Sequence, residues 1–436
     1  MVEAKSWTRI AAFWLAAGLG GKILCSGAEP ALQPVSGSDA AAAVEGAEET
    51  AAGDLAAGRA PSLGALIAHA LQYNDGLRAA HGRWRAALEA IPQAQSLPDP
   101  QLTYTYYLEQ VETRVGPQRQ RIELAQMFPW FGVLRLRGDA AAKLADAAWS
   151  DVERLRLQLA YQVSVRYHDY VFLQRSIEVT RKNFELVKSL ETVAREGYRT
   201  GDSLPAVMKA QVELGVLDDR LRSLEALRPA LAAKLNAVLN REQHLPIPWP
   251  VGQPDPAPEL QPDTILARLR QANPDLARLT TLAAREDLTA ALARKKRFPS
   301  VMLGLSIIDT EDARMAGVND SGKDPIMATI AVNLPIWHGK YQAEERQARY
   351  RQDAFLADRD DRLDALEADA TMALYHYQDA SRKIGLYRDT LLPKAEQSLS
   401  VAQQAFQAGK VDFLTLIDAQ RMLLDFQLAV AKAQAE

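Results

Sequence analysis

The 436-residue sequence predicts a mainly α-helical fold with a small β part, built from long coiled-coil-like helices and four strands. Three observations predict it. The chain is internally duplicated, and each half holds a helical run far longer than a globular helix. Each half also holds two stretches of about ten residues in which apolar and polar side chains alternate.

The N-terminal segment reads as a secretory signal peptide over residues 1–28. Lys5 and Arg9 precede an apolar run from Ile10 to Gly21, and Ser26 and Ala28 supply small residues at a cleavage site. Lys22 breaks the run before the roughly 20 apolar residues that a membrane anchor needs. The single cysteine, Cys25, lies in or beside this segment, either lipidated or removed with it. The mature chain therefore has no disulfide and no cysteine-based site. Residues 29–60, rich in Ala, Gly, Glu and Ser, read as a flexible leader.

The duplicated halves are 61–243 and 263–436. Asn74 and Leu77 answer to Asn273 and Leu276, Pro98 to Pro299, Pro129 to Pro335, and Phe131 to Trp337. Gly201 answers to Gly409, and Ala210-Gln211 to Ala419-Gln420. The period is about 200 residues, too long for a solenoid unit. Between the halves, "HLPIPWPVGQPDPAPELQP" (244–262) carries too many prolines for a helix or a central strand and reads as an extended surface linker.

Each half repeats one order: helix, two strands, very long helix, tight turn, long helix. In the first, Val133 to Thr200 contains no proline, and Leu155, Leu159, Val163, Tyr167 and Tyr170 step at helical spacing. A heptad-like set follows at Ile177, Phe184, Val187 and Ala194. The return helix runs to about Asn240, with Pro229 as a kink. In the second half Lys340 to Ala408 repeats the pattern with Pro393 as the kink. Its return helix carries Leu414, Ile417, Leu424 and Leu428 on one stripe. Helices alone fit a filament or structural coiled coil equally well.

The strands separate these readings. Leu102, Tyr104, Tyr106 and Leu108 share one face of the first, and Ile122 and Leu124 oppose Arg121, Glu123 and Ala125 in the second. "SVMLGLSII" and "IMATIAVNL" repeat the theme, the latter placing Ile326, Ala328, Ile330, Val332 and Leu334 on one side. About ten residues is the length of a tilted strand crossing a bilayer. Four strands close no barrel, and an open sheet edge is not tolerated in lipid. Three copies supply twelve strands, enough for a shared transmembrane β-barrel around a channel.

With these features the sequence resembles the TolC-like outer-membrane efflux factors from about Pro61 to the C-terminus. The resemblance rests on the duplicated order, "SLPDPQLTY", "FPWFG", the turns "GYRTG" and "AFQAG", and "LIDAQ". The style of "LPDP" and "FPWFG" is similar to the heavy-metal branch. The resemblance implies a homotrimer with a 12-stranded β-barrel in outer-membrane lipid and a trimeric α-barrel forming a periplasmic tunnel. It also implies docking on a periplasmic adaptor (membrane fusion protein) and an inner-membrane pump of the RND type, with no enzyme chemistry and no cofactor. A periplasmic coiled-coil adaptor is the alternative, but adaptors flank one hairpin with small β domains, and this chain has two hairpins.

The family's tips map here onto Tyr198, Arg199, Gly201 and Ser203 in the first turn and Phe406, Gly409 and Leu414 in the second, as adaptor contacts. Asp418 matches a constriction aspartate, which in three copies makes an acidic ring favouring cations; Asp412 is a second candidate. The pattern departs at Val411 and Thr415, where the family has an arginine and an aspartate, and at Ala206 and Val207, where it has another aspartate.

The barrel-to-tunnel junction is expected at Phe128, Pro129, Trp130, Phe131 and Gly132. Pro129 ends the strand, the rings sit at the membrane-water boundary, and Gly132 turns the chain into the helix. Pro335, Trp337 and Gly339 are expected to make the same turn in the second half. The six histidines, His69, His81, His168, His244, His338 and His376, form no ligand-spaced pair, so no metal site is expected. A net charge of −4 gives no footprint for nucleic acid.

Overall fold

The computed structural model describes residues 60, 62–199, 204–250 and 260–436. The signal peptide, Cys25, nearly all of the leader, the turn at Gly201 and Ser203, and the middle of the linker lie outside the described residues.

Each half opens with a broken helix where the sequence suggested a single one. The pair α1 (Leu63–Tyr73) and α2 (Asp75–Gln95) meets at Asn74, and α5 (Pro262–Ala272) and α6 (Pro274–Lys295) meet at Asn273. Asn74 closes the first helix through its N–H to the Ala70 carbonyl at 2.9 Å and opens the second by accepting the Leu77 N–H at 3.1 Å. Asn273 does the same, bonding the Leu269 carbonyl and accepting from Asp275 and Leu276. A short amide side chain that outcompetes the backbone is why asparagine breaks a helix and caps the next.

The strands β1 (Gln101–Val111), β2 (Gln118–Phe128), β3 (Val301–Thr310) and β4 (Ile326–Val332) form one antiparallel sheet in chain order. The central pairing, β2 with β3, joins the two halves. β4 is shorter than its sequence suggested. Its ladder ends at Val332 because the Asn333 side chain accepts the Ser300 N–H.

The first tunnel-type helix, α3 (Val133–Arg199), is unbroken for 67 residues, roughly 100 Å at 1.5 Å per residue. α4 (Leu204–Val238) returns along it, keeping Pro229 inside. The second, α7 (His338–Leu386), passes through a π turn at Tyr387–Leu391 into α8 (Leu392–Gln407). The irregularity sits just before Pro393, which lacks the N–H to continue the ladder, so a wide turn absorbs the mismatch. α9 (Phe413–Ala435) runs back.

Two cores hold the helices. One collects Leu66 and Ala70 of α1, Leu77 of α2, Val152, Val163 and Tyr170 of α3, Leu235 of α4, and Ile247 of the linker. The linker is tied down there. Tyr170 donates its hydroxyl to the Ile247 carbonyl at 2.8 Å, and the Arg228 guanidinium lies 4.1 Å over the Trp249 ring. The other core lies at the far ends of the hairpins. It packs Val187, Leu190 and Ala194 of α3, Val207, Ala210 and Leu217 of α4, Leu399 of α8, and Phe413, Leu416, Ile417 and Leu423 of α9. Each fully buried leucine there contributes about 2 kcal/mol. Leu414 is not on the buried stripe of α9; it is 41 % exposed, its place taken by Phe413.

Candidate functional site

The sheet has one apolar face. Register rows place Leu102, Leu124, Leu305 and Ala328 side by side, then Tyr104, Ile122, Ile307 and Ile326, then Phe128, Val301 and Val332. Leu102 is 61 % exposed, Ile326 68 % and Ile330 72 %. The opposite face carries Thr103, Thr105, Arg121, Glu123, Ser306 and Thr329, with Arg121 and Glu123 paired at 2.5 Å. A sheet apolar outside, polar inside, and paired on one side only at β1 and β4 is a segment of a barrel wall.

The junction follows. β2 ends at Phe128 before Pro129, and Gly132 turns at φ +83°, with Leu136 N–H bonding its carbonyl at 3.0 Å as α3 begins. Phe131 is 84 % exposed, while Trp130 stacks on Phe298 with ring centroids 5.0 Å apart. The sequence reading missed Phe298, which comes from the other half; its one local signal is an aromatic ring directly before Pro299.

Gly339 does not repeat the role of Gly132. It is the second residue of α7, and the turn is made earlier by two tight hydrogen bonds, Ile336 N–H to Leu334 carbonyl and His338 N–H to Ile336 carbonyl, 2.9 and 3.0 Å. Pro335 and Trp337 flank them, and Trp337 stays exposed. Gly132→Val is therefore expected to lose about 1–2 kcal/mol, the cost of left-handed backbone for a side-chain-bearing residue, whereas Gly339→Ala loses nothing. Thermal melting of the purified variants reads both.

At the other end of α3, Tyr198 and Arg199 are exposed, Arg199 pairing with Glu196 at 2.7 Å. In the second turn Gly409 takes φ +69°. Its N–H bonds the Phe406 carbonyl at 2.9 Å and the Lys410 N–H bonds the Ala405 carbonyl at 2.8 Å, a glycine C-terminal cap. Phe406 packs edge-on to Phe413, 5.5 Å between centroids.

Asp412 caps α9, accepting the Thr415 N–H at 3.0 Å and its hydroxyl at 2.7 Å. Those two bonds, with a smaller contribution from the Lys209 charge, hold its carboxyl below the usual range. Thr415, the residue that stands where the resembled family has an aspartate, is thus the partner of Asp412. Asp418 stands exposed one turn further on.

The two hairpins meet along a polar seam that the sequence did not single out. The fully buried Gln420 of α9 donates to Asn183 of α3 at 3.1 Å, and Asn183 donates to Gln427 at 2.9 Å. Arg421 of α9 reaches the buried Glu213 of α4, its Nε at 3.0 Å. Among the described residues no three His, Cys, Asp or Glu side chains converge as a metal site, and no helix is long and apolar enough to cross a membrane.

Residues 265–436 match the family model described as outer membrane efflux protein. The cobalt-zinc-cadmium resistance protein CzcC of Cupriavidus metallidurans is 24 % identical over 84 % of this chain and 85 % of its own length. The pyoverdine export outer membrane protein OpmQ of Pseudomonas putida is 23 % identical over 70 % of this chain and 64 % of its own. Among solved structures, CusC superposes with a TM-score of 0.71 at 17 % identity, covering 86 % of this chain and 89 % of that one. VceC from Vibrio cholerae gives 0.70 at 19 %, covering 86 % and 92 %.

Proposed function

We propose that the chain is an outer membrane efflux protein, its helices forming a periplasmic tunnel below a membrane barrel, and that three copies share one twelve-stranded barrel and export divalent metal ions. The observation that carries the reading is the sheet itself: four strands, apolar on one face, with an unpaired edge on each side. Such a wall is stable in lipid only when further copies close it. The metal substrate is supported by the likeness to a cobalt-zinc-cadmium resistance protein over most of both chains.

In this assembly the turns at the far end of the hairpins face the periplasm. Exposed Tyr198, Arg199 and Leu414, with Phe406 and Gly409 shaping the second turn, offer the docking surface for a periplasmic adaptor, which links the channel to an inner-membrane pump of the RND type. Asp418 contributes three carboxylates to the constriction.

Membrane fractionation followed by crosslinking in mild detergent tests the assembly. An outer-membrane trimer is expected, and a soluble monomer would sink it. Loss of cobalt, zinc and cadmium tolerance on deletion tests the substrate. Single-channel recording tests Asp418: Asp418→Ala is expected to lower the cation-to-anion permeability ratio, and an unchanged ratio removes Asp418 from the constriction.

A further inference from the structure

The duplication places a second charged residue at the level of Asp418. Ala210-Gln211 of α4 corresponds to Ala419-Gln420 of α9, so the residue before each alanine corresponds too: Lys209 and Asp418. The structure bears out this register by burial. Val207 and Ala210 on α4 and Leu416 and Ala419 on α9 all turn into the same core at the tips. With three-residue spacing between the buried positions in both helices, Lys209 and Asp418 leave their helices at matching places, and both are exposed. Lys209 also lies near enough to the second hairpin for its charge to contribute, after the two Thr415 bonds, to the lowering of the Asp412 carboxyl. Arg421, the other cation nearby on α9, pairs with Glu213 and also feels the Asp418 charge.

From this juxtaposition we infer that the constriction is a ring of alternating Lys209 and Asp418, six groups in the trimer, rather than a ring of acids. The inference rests on the trimeric channel proposed above. Its three ammonium groups cancel three carboxylates. The ring therefore carries no net charge, and neighbouring members hold one another across the constriction. Lys209 then tunes selectivity: it offsets the cation preference that Asp418 alone confers. A multivalent cation meets paired carboxylates instead of free ones, so it passes without lodging.

Bilayer recordings of reversal potential test this. Lys209→Gln is expected to raise the cation-to-anion permeability ratio about tenfold, since one unit charge at about 6 Å in water changes cation and anion occupancy about threefold each in opposite directions, and to introduce block by divalent cations. Asp418→Asn is expected to shift the ratio the other way. The exchange Lys209→Asp with Asp418→Lys is expected to restore the wild-type ratio. A conducting Lys209→Gln channel with the wild-type reversal potential overturns the alternating ring. Wild-type protein that inserts but never conducts overturns the channel reading instead.

Carbodiimide crosslinking of the wild-type trimer gives an answer independent of the variants. Peptides joining Lys209 to Asp418 are expected, and their absence from a trimer crosslinked elsewhere overturns the ring.

Discussion

Leu305→Lys is expected to prevent assembly in the outer membrane, whereas Thr103→Lys is not. Leu305 lies mid-strand in the apolar row with Leu102, Leu124 and Ala328. A lysine at the bilayer midplane on the lipid face costs about 2–4 kcal/mol, and the proposed trimer carries three. Thr103 lies on the other face, directly across from Glu123. A lysine there gains a carboxylate partner and stays in water. Heat-modifiable trimer in the outer-membrane fraction is the readout. Equal yields from the two variants would show that the sheet does not face lipid as assigned.

Arg421→Met is expected to loosen the tips. The Glu213 side chain is 4 % exposed and Arg421 53 %, so removing the arginine strands a buried carboxylate. Breaking such a pair costs about 3–5 kcal/mol when both groups are buried. The half-exposed arginine puts this case at the lower end, about 3 kcal/mol, because solvent screens part of the interaction. The double variant Glu213→Leu, Arg421→Met is expected to recover most of the loss, since an apolar pair leaves no charge unpaired. Limited trypsin digestion, with melting temperature alongside, compares the two. A double variant as labile as Arg421→Met would mean that the pair itself, rather than the orphaned carboxylate, carries the stability.

Local periodicity made much of this fold legible. Alternation along "QRQRIELAQMF" located β2 to the residue, and the proline-free run from Val133 gave α3 almost to its last turn. What the sequence hid depends on contacts across the two halves. Trp130 finds Phe298 only because β2 pairs with β3. Gln420 and Asn183 meet only because α9 lies against α3, and a buried glutamine leaves no mark on an amphipathic pattern. Gly339 misled because a glycine near a turn looks alike whether it makes the turn or follows it. Only the backbone angles distinguish Gly132 from it. At the tips, Asp418 came from a family match, while Lys209 came from the duplication and needed burial to place it.

The β2–β3 pairing has an evolutionary and kinetic side. A half-length chain with one hairpin and two strands needs six copies to close the same ring, and every seam between them forms by collision. Fusing two halves turns alternate seams into contacts within one chain, where the partner is present at an effective concentration of order millimolar before any encounter. The intrachain contact between the hairpins combines the apolar core at their far ends with the polar contacts of Asn183, Gln420 and Gln427. In the trimer proposed above, three of the six joints thus lie within chains and need no collision to form.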